Sequence, residues 1–106
     1  MPNYKFNGTK LITAGIQSEL PTELINHLWC LLERRKLNKT EPLDYLQVFE
    51  IRVEDRQDDR NLTIVHSQEV PPYKGESRFK AEFDTNCKIF LIDDIECCTM
   101  LFSNEY

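Results

Sequence analysis

The chain has 106 residues, which suffices for one domain but not for two that each bury their own core. Hydrophobic residues make up 41% and charged residues 29% of the sequence, and these ordinary shares exclude a disordered or fibrous protein. The formal net charge of −5 disfavours non-specific binding to nucleic acid or to an anionic membrane. We therefore expect a single domain spanning residues 1–106.

The compartment is predicted from the cysteines and from the missing targeting signals. The first ten residues are polar, and no apolar stretch approaches the roughly 20 residues that a membrane-spanning helix needs. Cys30, Cys87, Cys97 and Cys98 have no regular spacing and sit within apolar patterns, which is typical of reduced thiols. These features predict a cytoplasmic protein without a membrane segment.

The first predicted element is a short strand from Lys10 to Ser18, in which Gly15 indicates a bulge or a close backbone approach. An amphipathic helix follows over about residues 22–37, opened by Pro21 and Thr22. Its apolar residues fall on one arc of the helical wheel, which also includes Arg35, and therefore predict one buried face. They are Leu24, Ile25, Leu28, Trp29, Leu31 and Leu32.

The remaining elements are predicted strands. Tyr45 to Val53 alternates in polarity, and Asn61 to Ser67 pairs with it as a hairpin across a charged turn, Glu54 to Arg60. Pro71 and Pro72 interrupt the segment Glu69 to Tyr73, since proline cannot donate to a central strand. The later segments are a possible edge strand within residues 76–86, then strands Cys87 to Ile92 and Cys97 to Phe102. These elements predict an α+β fold with one helix packed on a four- to five-stranded, mostly antiparallel sheet.

An ordered set of segments resembles a known family. These segments are Gly15, Trp29, Asp44 to Glu50, His66 to Tyr73 and Thr99 to Tyr106. Their order resembles a pattern of small Firmicutes proteins, domain-of-unknown-function family 960. Cys97 and Cys98 depart from it, because a polar or aromatic residue is expected before the Thr99 segment. The resemblance implies a cytoplasmic protein of bacteria or of their mobile elements, and it implies no particular activity.

The segment from His66 to Tyr73 holds the candidate catalytic residues. His66 and Glu69 form a possible acid–base pair, which Tyr45 or Tyr73 would join if these groups converge in one pocket. A hairpin strand that runs into a proline-fixed loop explains the same residues without catalysis. Ser67 lacks the glycines of a nucleophile elbow.

An acidic turn provides the second candidate. Asp93, Asp94 and Glu96 could bind a hard cation or a basic partner, although a solvated turn also explains them. His27 and Cys30 are only half of a zinc site, and no Cys-x-x-Cys pair completes it. We therefore predict neither a metal nor a cofactor.

A basic cluster, Arg34 to Lys39, could contact phosphate, but on an acidic protein it is better explained as a complement to the helix dipole. The negative charge is concentrated in residues 45–106, which carry seven Lys/Arg and thirteen Asp/Glu. The first hypothesis is thus a non-catalytic module that binds another protein through this acidic half or an exposed sheet face. The alternatives are a small hydrolase using His66 and Glu69, and a nucleic-acid-binding protein. Either a monomer or a homodimer fits the sequence.

Overall fold

A computed structural model describes residues 4–38, 41–54 and 61–106. One long helix lies on one face of a six-stranded sheet. The strands are β1 Thr9–Ile12, β2 Leu46–Val53, β3 Asn61–Gln68, β4 Tyr73–Lys80, β5 Cys87–Asp93 and β6 Cys97–Phe102, and the helices are α1 Ala14–Glu19, α2 Thr22–Lys36 and a 3-10 turn Ser103–Glu105. None of the described helices is long and apolar enough to cross a membrane.

The α+β class is confirmed, but the predicted sheet was too small. The strand order is β1-β6-β5-β2-β3-β4, and neighbouring strands are antiparallel except for the parallel pair β1–β6. That pair joins Thr9 to Cys97, which are 88 positions apart. Local periodicity carries no information about so distant a pairing, so the parallel pair and the full six-stranded sheet were missed.

The strand predicted from Lys10 to Ser18 is wrong in its second half. The strand ends at Ile12, and Thr13 then caps α1 by accepting a hydrogen bond from the Ile16 amide at 3.2 Å. Gly15 lies in this helix, where a Cβ would come within 2.8 Å of the Glu105 carboxylate. The glycine therefore marks a close approach, here of the Glu105 side chain to the backbone of α1. The other predicted explanation, a bulge, is wrong.

The predicted amphipathic helix is confirmed within one residue as α2. It begins after Pro21, and its last turn carries the basic residues that complement the helix dipole. Trp29 and Leu31 lie at the margin of its buried face, and the arginine within the apolar arc is buried with that face. The buried members are Leu24, Ile25, Leu28, Leu32 and Arg35.

The predicted hairpin of β2 and β3 is confirmed, and a further hairpin follows it. The proline-rich segment is a tight turn that joins β3 directly to β4, and β4 is an edge strand that begins at Tyr73, earlier than predicted. Both prolines occupy the turn, where no ladder amide is required. Of the charged turn predicted at Glu54 to Arg60, residues 55–60 lie outside the described part of the chain.

The second predicted hairpin, β5–β6, is confirmed around its acidic turn. Asp93 still belongs to β5, while Ile95 at the tip has a φ of 67° and is exposed. Cys98 is fully buried and Cys97 is half-buried, as expected for neighbours on a strand.

The two sheet faces differ because only one is covered by α2. The core-facing side chains pack beneath that helix in rows set by the strand register, and they include Phe49, Ile51, Leu62, Ile64, Ile89, Leu91 and Met100. The opposite side chains form what we call the open face. Its apolar members are Leu11, Leu46, Val48, Val65, Phe90, Ile92 and Leu101, and its charged members are Glu50, Arg52, Lys74, Glu76, Arg78, Lys80 and Lys88.

Candidate functional site

Two buried glutamines build a polar region at one end of the core. Gln47 Nε2 donates hydrogen bonds to the Asp44 carbonyl at 2.9 Å and to Gln68 Oε1 at 2.8 Å. Gln68 Nε2 in turn donates to the carbonyls of Pro42 and Pro71. Because the donors of both amides are used, the orientation of each side chain is fixed.

His66 extends this region into the sheet. Its Nε2 lies 2.7 Å from Gln47 Oε1, which accepts, so Nε2 carries the proton in the neutral ring. The ring stacks on Phe49 at 4.2 Å and meets the edge of Tyr73 at 5.4 Å. Burial, with a smaller effect from the positive charge of Arg35, lowers the pKa of His66 to about 4. The imidazole is therefore neutral at pH 7, with Nδ1 unprotonated.

Arg35 brings a buried positive charge to the same place. Arg35 is 6% exposed, and its Cζ lies 4.0 Å from the centre of the Tyr73 ring, which is a close cation–π contact. Nη2 is 3.1 Å from Glu41 Oε2, but the angles do not meet the requirements of a hydrogen bond. Among the described residues, Nε, Nη1 and Nη2 all lack a hydrogen-bond partner.

A cleft of about 300 Å³ opens beside this guanidinium. One wall is the C-terminal half of α2, and the other is formed by His66 on β3 and by the first half of β4. Apolar and aromatic surfaces alternate with polar groups around it, as is common in small-ligand sites. Its side walls include Leu31, Arg34, Arg35, Tyr73 and Ser77. We refer to this space as the Arg35 cleft.

Gly75 sets the position of the Tyr73 ring in the cleft. The two residues lie on the same face of β4, and a Cβ at Gly75 would come within 2.5 Å of the Tyr73 hydroxyl. The backbone of Gly75 needs no special φ, so the absence of a side chain is what matters here. It leaves room for the ring to lie along its own strand beneath Arg35.

A larger cleft of about 420 Å³ lies nearby, lined by residues that include Tyr4, Lys36 and Leu43. Its amine is already engaged, because Lys36 Nζ donates to the Phe6 carbonyl at 3.1 Å and to Asn7 Oδ1 at 3.0 Å. The Lys36 amine of this cleft is thus already hydrogen-bonded within the chain, in contrast to the guanidinium of the Arg35 cleft.

The structure brings together two of the four predicted catalytic residues. His66 and Tyr73 are in ring contact, whereas Glu69 is exposed in the turn after β3. Tyr45 is exposed as well, and a hydrogen bond with Tyr106 raises its pKa. The predicted acid–base pair of His66 and Glu69 is therefore not assembled in this structure, because His66 faces the core and bonds Gln47.

The acidic turn is divided in the same way. Asp93 is buried, and its carboxylate accepts hydrogen bonds from the amides of Phe6 at 3.1 Å and Ile95 at 3.0 Å. Asp94 and Glu96 are exposed. Within the described ranges, no group of three or more His, Cys, Asp or Glu side chains is arranged to hold a metal ion.

The helix residues considered for zinc or phosphate binding also separate. His27 stacks on Phe79 at 4.1 Å, and its burial lowers its pKa, while Cys30 is exposed. In the basic cluster, Arg34 is exposed and Arg35 is buried. The cluster ends at Lys39, which lies outside the described residues.

Sequence reasoning missed the cleft although two signals pointed to it. Arg35 falls within the apolar arc of the helix, and His66 follows Leu62 and Ile64 at the period-two spacing of a core-facing row. The role of Gly75 depends on how a neighbouring ring folds over it, for which the sequence has no signal.

Three comparisons with known proteins bear on this chain. A family described as "Staphylococcal protein of unknown function (DUF960)" matches residues 9–105. A crystal structure of a protein of unknown function from Enterococcus faecalis has the same fold, with a TM-score of 0.79 and 21% identity over 100% of this chain and 97% of that one. No curated protein matches significantly. The expected resemblance is thereby confirmed, and the chain belongs to the DUF960 family.

Proposed function

We propose that this chain is a non-catalytic module that binds an acidic surface of another protein through the open face of its sheet. The observation that carries the proposal is the charge of that face. Its strands present five cations and two carboxylates, and Glu54 adds a third carboxylate directly after β2. The face is therefore locally positive on a chain whose formal net charge is −5.

The charges are arranged beside an apolar patch. One row across the sheet runs from Lys88 through Glu50 and Val65 to Glu76, and the next includes Arg52 and Arg78. Towards the other end of the strands, Val48 and Phe90 pair directly and are only partly covered. Such a polar rim around an exposed apolar area is typical of a protein-binding surface.

The first hypothesis named the acidic second half of the chain as an alternative contact region. The fold disperses these carboxylates: Asp93 points into the core, and Glu54 accepts a hydrogen bond from Thr63. The open face is the more coherent surface, so we propose it instead. We also propose that the module acts in the bacterial cytosol, which its four free thiols support.

The test places a photo-crosslinking residue at Ile92 on the open face and, as a control, at Asn26, which is exposed on α2. Crosslinking in living Gram-positive cells, followed by mass spectrometry, identifies the partner, which is then purified for binding measurements. We expect a protein to crosslink from position 92 and not from position 26. Lys74→Glu should weaken its binding by about three- to tenfold, and more at low salt.

The matched control is Lys5→Glu, which makes the same charge change at an exposed site away from the open face and should leave binding unchanged. Crosslinks from position 26 alone would overturn the proposal. Crosslinks to nucleic acid, or only to a second copy of this chain, would overturn it as well, because each names a different occupant of the face.

A further inference from the structure

We infer that the Arg35 cleft is a binding site for a small monocarboxylate that carries a short apolar body. This inference concerns the helix-covered side of the sheet and is independent of the proposed open-face function. Its basis is a buried guanidinium beside a cleft, with three nitrogens that lack hydrogen-bond partners within the described residues.

Arg35 carries a buried charge that is not fully compensated. Desolvating a charge is costly, and buried charges in proteins are normally paired and hydrogen-bonded. Here the side chain is 4% exposed, and its three nitrogens lack hydrogen-bond partners within the described residues. The contact with Glu41 compensates only in part, because that carboxylate side chain is 50% exposed and approaches one nitrogen outside hydrogen-bond geometry.

The shape of the Arg35 guanidinium matches that of a carboxylate. The planar fork of arginine holds a carboxylate by two parallel hydrogen bonds, which gives both orientation and strength. Tyr73 lies against the guanidinium, with Arg35 Cζ 4.0 Å from the centre of its ring, and this contact depends on the free space at Gly75. The contact holds the guanidinium in place beside the cleft.

The other residues around the cleft limit the charge and shape of the ligand. Arg34 adds a second cation to the cleft, while Glu41 already faces Arg35. One negative charge therefore balances the two arginines and Glu41, whereas a dianion such as phosphate would be repelled by the Glu41 carboxylate. The remaining lining includes the Leu31 side chain and the rings of Tyr73 and His66, which favour an apolar body.

The experiment is a titration of isotopically labelled protein, followed by NMR of the Arg35 Nε–H and the His66 ring. Acetate, propionate and inorganic phosphate are compared at constant ionic strength, together with a terminally blocked Gly-Gly-Glu-Gly-Gly peptide. We expect saturable shifts with propionate at a Kd on the order of 1 mM, as for other very small ligands. Acetate should bind more weakly, because it has less apolar surface to bury.

Variants separate binding from a structural role. Arg35→Met preserves volume and removes the buried charge, so it should abolish the shifts while the melting temperature stays the same or rises. Arg35→Lys should bind about tenfold more weakly, because it loses the fork. Arg78→Met, on the open face, should bind like the wild type. If Arg35→Met does not fold, Arg35→Lys and Gly75→Ala decide, and both should bind more weakly.

Four results would overturn the inference. They are no saturable shift with any of the anions, wild-type affinity in the foldable Arg35 variants, tighter binding of phosphate than of propionate, and tighter binding of the blocked peptide. The third would change the ligand class, and the fourth would assign the cleft to a protein side chain.

Discussion

The two ends of the layer between α2 and the sheet are built from different chemistry. At the N-terminal end of α2, His27 stacks on Phe79 of β4, and Leu24 and Leu28 are enclosed among apolar strand residues. At the C-terminal end, Arg35 stacks on Tyr73 of the same strand, close to His66. One helix and one sheet thus hold an apolar core and a polar cleft side by side.

The apolar end of this layer stabilises the fold, whereas the polar end gives up part of that stability. Apolar burial contributes about 25 cal/mol per Å² whatever the partner, while a polar interior is stabilising only if every group is satisfied. The glutamines meet that condition, whereas the guanidinium of Arg35 and, at the other end, Nε2 of His27 lack hydrogen-bond partners within the described residues. Departures from local rules of this kind are concentrated at functional sites.

The largest expected effect is at the apolar end. Leu28→Ala removes a fully buried side chain and should lower the free energy of unfolding by about 2–5 kcal/mol, since the cavity adds to the lost transfer energy. Chemical denaturation measures it. Leu37→Ala, at a residue 79% exposed, is the control and should stay within about 0.5 kcal/mol of the wild type. A cost below about 1 kcal/mol for Leu28→Ala would mean that this end is not the stabilising one.

The next effect is at the polar end. Gln68→Met keeps the volume but leaves the donor of Gln47 and the Asp44 amide without their acceptor. We expect a loss of about 1–3 kcal/mol, the usual cost of unsatisfied buried polar groups. The same substitution at exposed Gln17 should be neutral. Equal stability of Gln68→Met and the wild type would show that the glutamine network contributes nothing.

The third prediction concerns pH. The pKa of His66 is about 4 in the folded chain and about 6.5 when unfolded, so the unfolded state binds more protons between these values. The contribution to stability is complete above about pH 6.5 and is lost as the pH falls towards about 4, with a slope of at most about 1.4 kcal/mol per pH unit.

NMR titration of the His66 ring checks this prediction, with its signals assigned by comparison with His66→Gln. That variant should unfold with a shallower pH dependence between pH 6.5 and 5. An ordinary pKa for the His66 ring in the folded protein would contradict the burial on which the prediction rests.

The smallest effect separates the members of the acidic turn. Asp93→Asn replaces the carboxylate that accepts from the Phe6 and Ile95 amides, and should cost about 1 kcal/mol. Asp94→Asn changes an exposed side chain and should cost nothing measurable. Thermal melts of the two variants, recorded together, make the comparison. Equal melting temperatures would argue against a structural role for Asp93.

The sequence predicted what local patterns encode. The helical wheel located α2 within one residue and placed Arg35 on its buried side, and strand-like segments located β2, β3, β5 and β6, the first of them by its period-two alternation. It failed where distant residues decide: α1 was read as a strand because Leu11, Ile12 and Ile16 resemble one, and β1 depends on a partner near residue 97. Predicting the cleft requires both local patterns and contacts between distant residues, because its walls come from α2 and from β3 and β4.

The parallel pairing of β1 with β6 has a consequence for the order of assembly. The β2-β3-β4 meander joins neighbours in sequence, so its strands can pair as soon as they are synthesised. Thr9 to Ile12 must wait for residues 97–100, because their partner strand is synthesised after all the others. We therefore expect β1 to dock last, so that a nascent chain on the ribosome carries an unpaired β1 until β6 has emerged.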